Sequence, residues 1–327
     1  MKLAFATGPY AQSEDSLYIF LKEALSRNHK VYLFILDDIY TKDNHIFADL
    51  MLLSKKRFGI DNNQRYKFDK KVPMQLGSMN AVFLKRDPPV PADKLEMIKD
   101  LGKKVFVVND PAGIIKYKSK SSLERFSEFM PETFFSKDVS FLKQKINELK
   151  DCVLKQDFSY GGLGIHRIYE KNNQYFHNHL KIKNQKIQLT PFLKKLTLDG
   201  TKKLTLVRFL KNIDQGDKRI IILDGKILGA ILRKPSKDSW ICNITSGGVA
   251  GKTTITEDEQ EMIKKISPVL TQDGIHIAGF DTLVDDSGKR VLSEINTTNV
   301  GAFHILNKTY NLKLEKKIID WLEHESF

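Results

Sequence analysis

The pattern of apolar and polar positions opens with "KLAFAT", an apolar run of strand character. It is followed by "SLYIFLKEALSRNH", where Leu17, Phe20, Leu21 and Leu25 recur on one helical face. "KVYLFIL" then returns to a continuous apolar run. The order strand, helix, strand predicts a βαβ start and hence a parallel sheet. "AVFLKRDPP" and "KKVFVVNDP" predict two further strands, with the helical "ADKLEMIKDLG" between them. Residues 1–116 therefore read as one open parallel α/β domain.

Beyond that point the texture changes. "KSSLERFSEF" and "VSFLKQKINELK" have helical spacing on either side of Pro131, and "CVLKQDFSYGGLGIHRI" reads as strand, glycine-bearing loop, strand. The stretch 171–203, rich in Asn, Lys and Gln, carries no clear period apart from a short helix around "PFLKKL". "KLTLVRFL", "KRIIILDGKILGAILRK" and "AGFDTLVDDSGKRVLSEIN" predict strands joined by Asp-Gly and Asp-Ser-Gly turns. "TEDEQEMIKKISPVLTQDG" predicts a helix with Thr256 as N-cap and Glu259 three residues on, and "NLKLEKKIIDWLEHE" predicts the last one.

Composition narrows the class. With 327 residues, 41% of them hydrophobic, the chain can bury a substantial core in about two or three units. Cys152 and Cys242 lie far apart in apolar surroundings, which suits a reducing compartment rather than a disulfide framework. No run approaches the roughly 18 apolar residues of a membrane span, and Gly8-Pro9 interrupts the N-terminus before a signal-peptide core forms. A cytoplasmic protein without a membrane partner is expected. The net charge of +13 favours anionic partners in general. The basic residues are scattered, and neither zinc-finger spacing nor an aromatic RNA-binding signature accompanies them, so no nucleic-acid partner is expected.

The densest chemistry lies in the second half. Glu294 and Asn296 stand two apart on a strand flanked by Val291, Leu292 and Ile295, so they share a face, and Asp281 can meet them from the neighbouring strand. Three oxygen donors without His or Cys suit Mg²⁺ and the phosphate oxygens it travels with. Polar residues merely meeting solvent at a strand end would fit these apolar flanks less well. Lys155 in "CVLKQDF" would be costly on a buried strand unless it met an anion, although a lone lysine often just runs its stem along the surface. Gly161, Gly162 and Gly164 can present backbone N–H groups to phosphate, at a spacing that is not the P-loop's. Lys218, Arg219 and Arg233 add cations suited to phosphate or carboxylate. Their joint occurrence with the oxygen cluster, not any single residue, carries the reading.

The order "KRDPP" (85–89), "NDP" (109–111), "PET" (131–133), "VLKQDFSYGGLGI" (153–165), "DQGDKRIIILDG" (214–225), "ILRKP" (231–235), "NITSGG" (243–248), "GFD" (279–281) and "SEINTT" (293–298) resembles the ATP-grasp ligases, and within them the bacterial glutathione synthetases. The resemblance implies an α/β domain at 1–116 followed by a two-part α+β ATP-grasp fold. Its central subdomain spans 117–205, and its C-terminal subdomain, with the metal site and a mobile loop, spans 206–327. It also implies ATP and Mg²⁺ as cofactors, with Mn²⁺ as a substitute, small-molecule acid and amine substrates, and an assembly compatible with a homo-oligomer. Lys120 and Lys155 look like the ATP-contacting lysines, beside Gly161, Gly162 and Lys218. Val207, Phe209 and Leu210 fall in the hinge that receives adenine through its backbone. Arg219, Arg233, Asn243, Gly247 and Gly248 fall where substrate and transferring phosphate are handled, and Asp281, Glu294 and Asn296 look like the metal ligands.

The implied reaction phosphorylates a carboxylate and lets an amine attack the acyl phosphate, with γ-glutamylcysteine and glycine as the pair. The same chemistry on another acid and amine is the nearest alternative. A catalytically silent nucleotide- or nucleic-acid-binding protein is a third, opposed by the intact metal-ligand set. Three departures from the family pattern concern the substrate end. Lys85 replaces an arginine as a point charge, Ile241 and Val249 replace arginines on the loop 234–251, and "TTNVGA" follows Asn296.

Overall fold

A computed structural model describes residues 1–9, 16–54, 70–159, 161–180, 182–235, 240–242 and 248–326. Among these residues the strands form three sheets. The first holds β1 (Lys2–Thr7), β2 (Lys30–Ile35), β3 (Tyr40–Lys42), β4 (His45–Leu52), β5 (Val72–Gln75), β6 (Ala81–Leu84) and β7 (Phe106–Val108). Its order is β3-β4-β2-β1-β6-β7, with β5 paired to β4. The run β2-β1-β6-β7 is parallel, as the βαβ pattern requires, and α1 (Ser16–Ser26), α2 (Ala92–Lys99) and α3 (Pro111–Tyr117) belong to this half of the chain. The sheet is nevertheless mixed, because β4 joins β2 antiparallel and β3 and β5 join β4 antiparallel. Asp43 and Asn44, both at positive φ, turn the β3-β4 hairpin, a two-residue turn whose backbone twist matches that of paired strands.

The second sheet is antiparallel throughout. It contains β8 (Thr133–Ser136), β9 (Asp151–Gln156), β10 (Ile165–Lys171), β11 (Gln174–His179), β12 (Ile182–Ile187) and β13 (Leu204–Arg208), in the order β12-β11-β10-β9-β13-β8. The polar stretch 171–203 thus supplies two edge-side strands. In β12 almost every side chain is exposed, so no apolar alternation marks it in the sequence. Helices α4 (Val139–Leu149) and α5 (Leu189–Thr197) cover one face and close a core around Leu142, Ile146, Leu154, Leu193 and Leu206. The expected helix at Lys120–Phe129 is a kinked 3₁₀ segment instead, with Phe126 off helical geometry.

The third sheet holds β14 (Asp217–Leu223), β15 (Lys226–Lys234), β16 (Val249–Gly251), β17 (Ile277–Val284) and β18 (Arg290–Asn296), in the order β16-β15-β14-β17-β18. α6 (Glu257–Gln272) begins with both halves of the Thr256–Glu259 capping box, and α7 (Phe303–Tyr310) precedes α8 (Leu314–Glu325). One core runs from Phe34 and Val82 of the first sheet to Ile220 and Phe280 of the third, and another joins Phe5 and Phe20 to Ile221 and Phe303. The first and third sheets are therefore welded into one apolar block, whereas the second sheet has its own core. Asn109 sutures that block: its Nδ2 donates to Ile277 O and Thr297 O at 2.6 and 2.7 Å, while its Oδ1 accepts from His276 N and Ile277 N.

Candidate active site

Strands of the second and third sheets, together with residues between Asp87 and Leu95 after β6 and Ile114 and Tyr117 of α3, line a cavity of about 1050 Å³. β17 and β18 pair with Asp281 directly opposite Glu294 and Gly279 opposite Asn296, which sets the three expected metal ligands on one level. The ladder slips by one residue after Asp281, so that Thr282 faces Leu292 and Ser293 is left as the extra residue of a bulge. Lys155, from β9 of the second sheet, donates to Ser293 O and Ser293 Oγ, both at 3.1 Å. Lys120 Nζ lies 3.6 Å from Glu294 Oε1 and donates to Ser159 O beside the glycine loop. Lys155 thus reaches the oxygen cluster from the second sheet, and Lys120 reaches it from the start of the 3₁₀ segment. Burial pushes the Lys155 ammonium below its usual pKa, with Glu294 opposing and Lys120 adding repulsion.

β14 and β15 complete the cluster. Arg219 stands opposite Asp281 and donates from Nε and Nη2 to its two oxygens. Arg233 stands opposite Asp217, donates to both its oxygens at 2.6 and 2.7 Å, and reaches Asp281 Oδ1 at 3.1 Å. Burial would raise the Asp281 carboxyl, but Arg219 and Arg233 outweigh it and bring its pKa down to about 2. Burial raises Asp217 instead, since it has mainly Arg233 to oppose it and Asp281 as a like charge.

The donor set fits a hard divalent cation. Two carboxylates and one amide oxygen leave room for phosphate oxygens, and no group of three or more His, Cys, Asp or Glu able to hold a metal converges among the described residues. Asp281 has its oxygens engaged by Arg219, Arg233 and Asn296 Nδ2, the last at 3.2 Å. Accepting a cation there requires the Arg219 pair to open and the Asn296 amide to turn its oxygen inward.

Most of the other expected residues line the cavity too. Val207, Phe209 and Leu210 form one wall, although the Phe209 N–H already donates to Asp151 O at 3.1 Å. Gly161 and Gly162 line another with φ of +60° and +83°. Gly164 serves the loop itself, because a Cβ there would fall 2.2 Å from Ser159 Oγ. Cys242 lines the cavity as a neutral thiol that burial pushes up to about 12. Asn243 and Gly247 lie outside the described residues, as does much of the loop 234–251, and Gly248 is not among the lining residues.

Three expectations are corrected. Lys218 points away from the cavity and is buried against Glu259 Oε2 at 2.8 Å and Thr254 O at 2.7 Å. Period two explains this: Asp217 and Arg219 share the cavity face of β14, so Lys218 must take the other. The same rule would have found Asp217, which sequence reasoning missed. Lys85 offers no point charge to substrate, because it is buried away from the cavity. Of the two apolar replacements on the loop, Ile241 lines the cavity beside Gly162, whereas Val249 is 69% exposed on the edge strand β16.

Comparison with known proteins agrees with this geometry. A family model described as the N-terminal domain of prokaryotic glutathione synthetase matches residues 1–114, and one described as its ATP-grasp domain matches 119–311. A glutathione synthetase of Mesorhizobium japonicum is 29% identical over 288 residues, covering 87% of this chain and 85% of the relative. One of Synechocystis sp. is 28% identical over 338 residues, covering 99% and 100%. Among solved structures, a RiPP-associated ATP-grasp ligase of Chryseobacterium gregarium in complex with ADP and a leader and core peptide superposes with a TM-score of 0.63 at 13% identity, covering 99% of this chain and 97% of that one. The ATP-grasp ligase PsnB, complexed with minimal precursor, Mg and ADP, gives 0.56 at 13% identity, covering 99% and 98%. With both domain models matching in order along the chain, the protein belongs to the prokaryotic glutathione synthetase family and is an ATP-dependent ligase that forms an amide bond.

Proposed function

We propose that this ligase joins γ-glutamylcysteine to glycine through an acyl phosphate, with the nucleotide between the second sheet and the block made by the other two. In this reading residues 1–116 form the N-terminal α/β domain, 117–205 the central subdomain and 206–327 the C-terminal subdomain. The observation that carries it is the convergence of Asp281, Glu294 and Asn296 with Lys120, Lys155, Arg219 and Arg233 at one cavity. Val207, Phe209 and Leu210 enclose the base, with Leu210, two residues past the end of β13, carrying the backbone contact. Lys120 and Lys155 hold phosphate oxygens together with the N–H groups of Gly161 and Gly162.

Asp281, Glu294 and Asn296 hold Mg²⁺, with Mn²⁺ able to substitute. The bound cation neutralises charge on the transferring phosphoryl group. Arg219, once off Asp281, binds the substrate carboxylate or the phosphoryl oxygens, and Arg233 stays with Asp217 and steadies the pair. Closed walls keep water from the acyl phosphate until the amine arrives. No side-chain nucleophile is needed, and the neutral Cys242 is not one.

A second reading keeps the chemistry and changes the acid or amine. Ile241 favours it, since an apolar side chain lines the cavity where the family pattern has an arginine. The experiment incubates the protein with ATP, Mg²⁺, γ-glutamylcysteine and glycine and follows glutathione by mass spectrometry together with ADP. Glutathione formed in step with ADP supports the first reading. ADP release only with other acids or amines supports the second, and no release with any pair sinks both.

A further inference from the structure

We infer that Lys85 is a positioning residue for the amine acceptor: it fixes the turn 297–302 that walls the substrate end of the cavity. This rests on the ligation reading above. Lys85 follows β6 and is 2% exposed. Its ammonium lies 5.4 Å from the ring of Phe20 on α1, and 5.9 Å from each of the rings of Phe83 and Phe303. Those rings pack on one another, Phe20 stacked on Phe83 and edge-on to Phe303, so the cage is rigid. A cation over aromatic faces keeps an electrostatic partner after water is removed. From this cage Lys85 Nζ donates to Val300 O at 3.1 Å.

Val300 sits in the middle of a turn that needs holding. Asn299 has φ of +34° and Ala302 of +75°, the left-handed region that an alanine leaves unless its surroundings compel it. The turn is pinned at its start by Asn109 Nδ2 on Thr297 O and at its tip by Asn299 Nδ2 on Asp87. Lys85 supplies the hold in between. Thr297, Thr298, Asn299, Gly301 and Ala302 line the cavity directly after Asn296, the last expected metal ligand, and the exposed carboxylate of Asp87 faces them. A reactive acyl group at the metal level is therefore adjacent to this turn, and an ammonium approaching it would meet Asp87 first. Lysine serves here through its reach into the cage and its charge, with no contact to the substrate.

The test compares Lys85→Met and Lys85→Arg with the parent. Hydrogen exchange read by mass spectrometry should show amides 298–302 exchanging about tenfold faster in Lys85→Met, with the rest of the chain as in the parent. In turnover, the KM for the amine should rise about tenfold while the KM for ATP and kcat stay within about twofold. Lys85→Arg, which keeps charge and donor, should restore protection. If Lys85→Met does not fold, Phe303→Leu opens the cage and should show the same local loss of protection. Unchanged protection at 298–302, or a rise spread over the whole chain with every KM, overturns the inference. Failure of the parent to ligate any acid and amine would instead strike the ligation reading, and the exchange measurement still decides whether Lys85 holds the turn.

Discussion

The two ends of the cavity are built differently. At the end with the expected metal ligands, Asp217, Arg219, Arg233, Asp281, Glu294 and Asn296 project from four neighbouring antiparallel strands, so ladder register alone brings them together. At the other end the walls are residues 87–90, the turn 297–302 and the segment 240–242, held by single side chains such as Lys85 and Asn109. The departures from the family pattern at Ile241 and "TTNVGA" fall on this second kind of wall, and Lys85 stands behind it. Strand-borne chemistry cannot drift by one residue without turning every side chain to the other face, whereas a turn can change its residues and keep its path.

The largest effects should come from the strand-borne end. Asp281→Asn removes the negative charge of one expected metal ligand and of the partner shared by the buried Arg233 and the half-buried Arg219, so turnover should be lost and stability should fall by about 3 kcal/mol. Calorimetry against pH sharpens this. With its pKa held near 2, Asp281 stabilises the fold above pH 3.8, and that stability is lost as pH falls from 3.8 through about 2, where the unfolded chain binds the proton first. Asp217, shifted the opposite way, moderates the fall. The variant should therefore show a flatter acid limb in that window; a limb as steep as the parent's would mean that the Arg219 pair does not persist in solution.

Glu294→Gln separates metal binding from folding, because Glu294 is half-exposed and outside the guanidinium network. It should lower kcat about 100-fold, equivalent to about 3 kcal/mol, and raise the Mg²⁺ needed for half-maximal rate, with Tm unchanged. Unchanged turnover at limiting Mg²⁺ would refute the metal assignment. Lys155→Met should weaken ATP binding by about tenfold, from the loss of one charge-assisted contact of about 1.5 kcal/mol. Equal affinities by calorimetry would show that its bond to Ser293 persists when nucleotide binds.

Smaller effects are expected where turns form the wall. Ile241→Arg should lower the KM for γ-glutamylcysteine by up to about tenfold, or else leave it unchanged and favour the second reading of the substrate. Val249→Arg should alter every steady-state constant by less than about twofold, since the side chain points into solvent from an edge strand. An equal gain from both substitutions would erase the distinction between the two positions.

The opening βαβ, the capping box at Thr256 and the juxtaposition of Asp281 with Glu294 and Asn296 were all legible because each depends on periods of 3.6 or 2 read over a few residues. Asp217 was legible by the same rule, which Lys218 obscured by drawing attention to its own charge. β12 was not legible, because an edge strand with two wet faces carries no alternation. Lys120 illustrates a different limit. Its motif pointed to ATP, but only the packing of its 3₁₀ segment against the third sheet brings it 3.6 Å from Glu294.

The sequence by itself determined most of the local elements, the shared face of Asp281, Glu294 and Asn296, and the family. The tertiary structure alone decided that the first and third sheets share their cores, that Arg219 and Arg233 hold Asp281, and that Lys85 is caged. The physical reason is range: period and propensity act between residues a few positions apart. A cage drawn from residues 20, 83 and 303 around residue 85 exists only once packing has closed distances that no local pattern encodes.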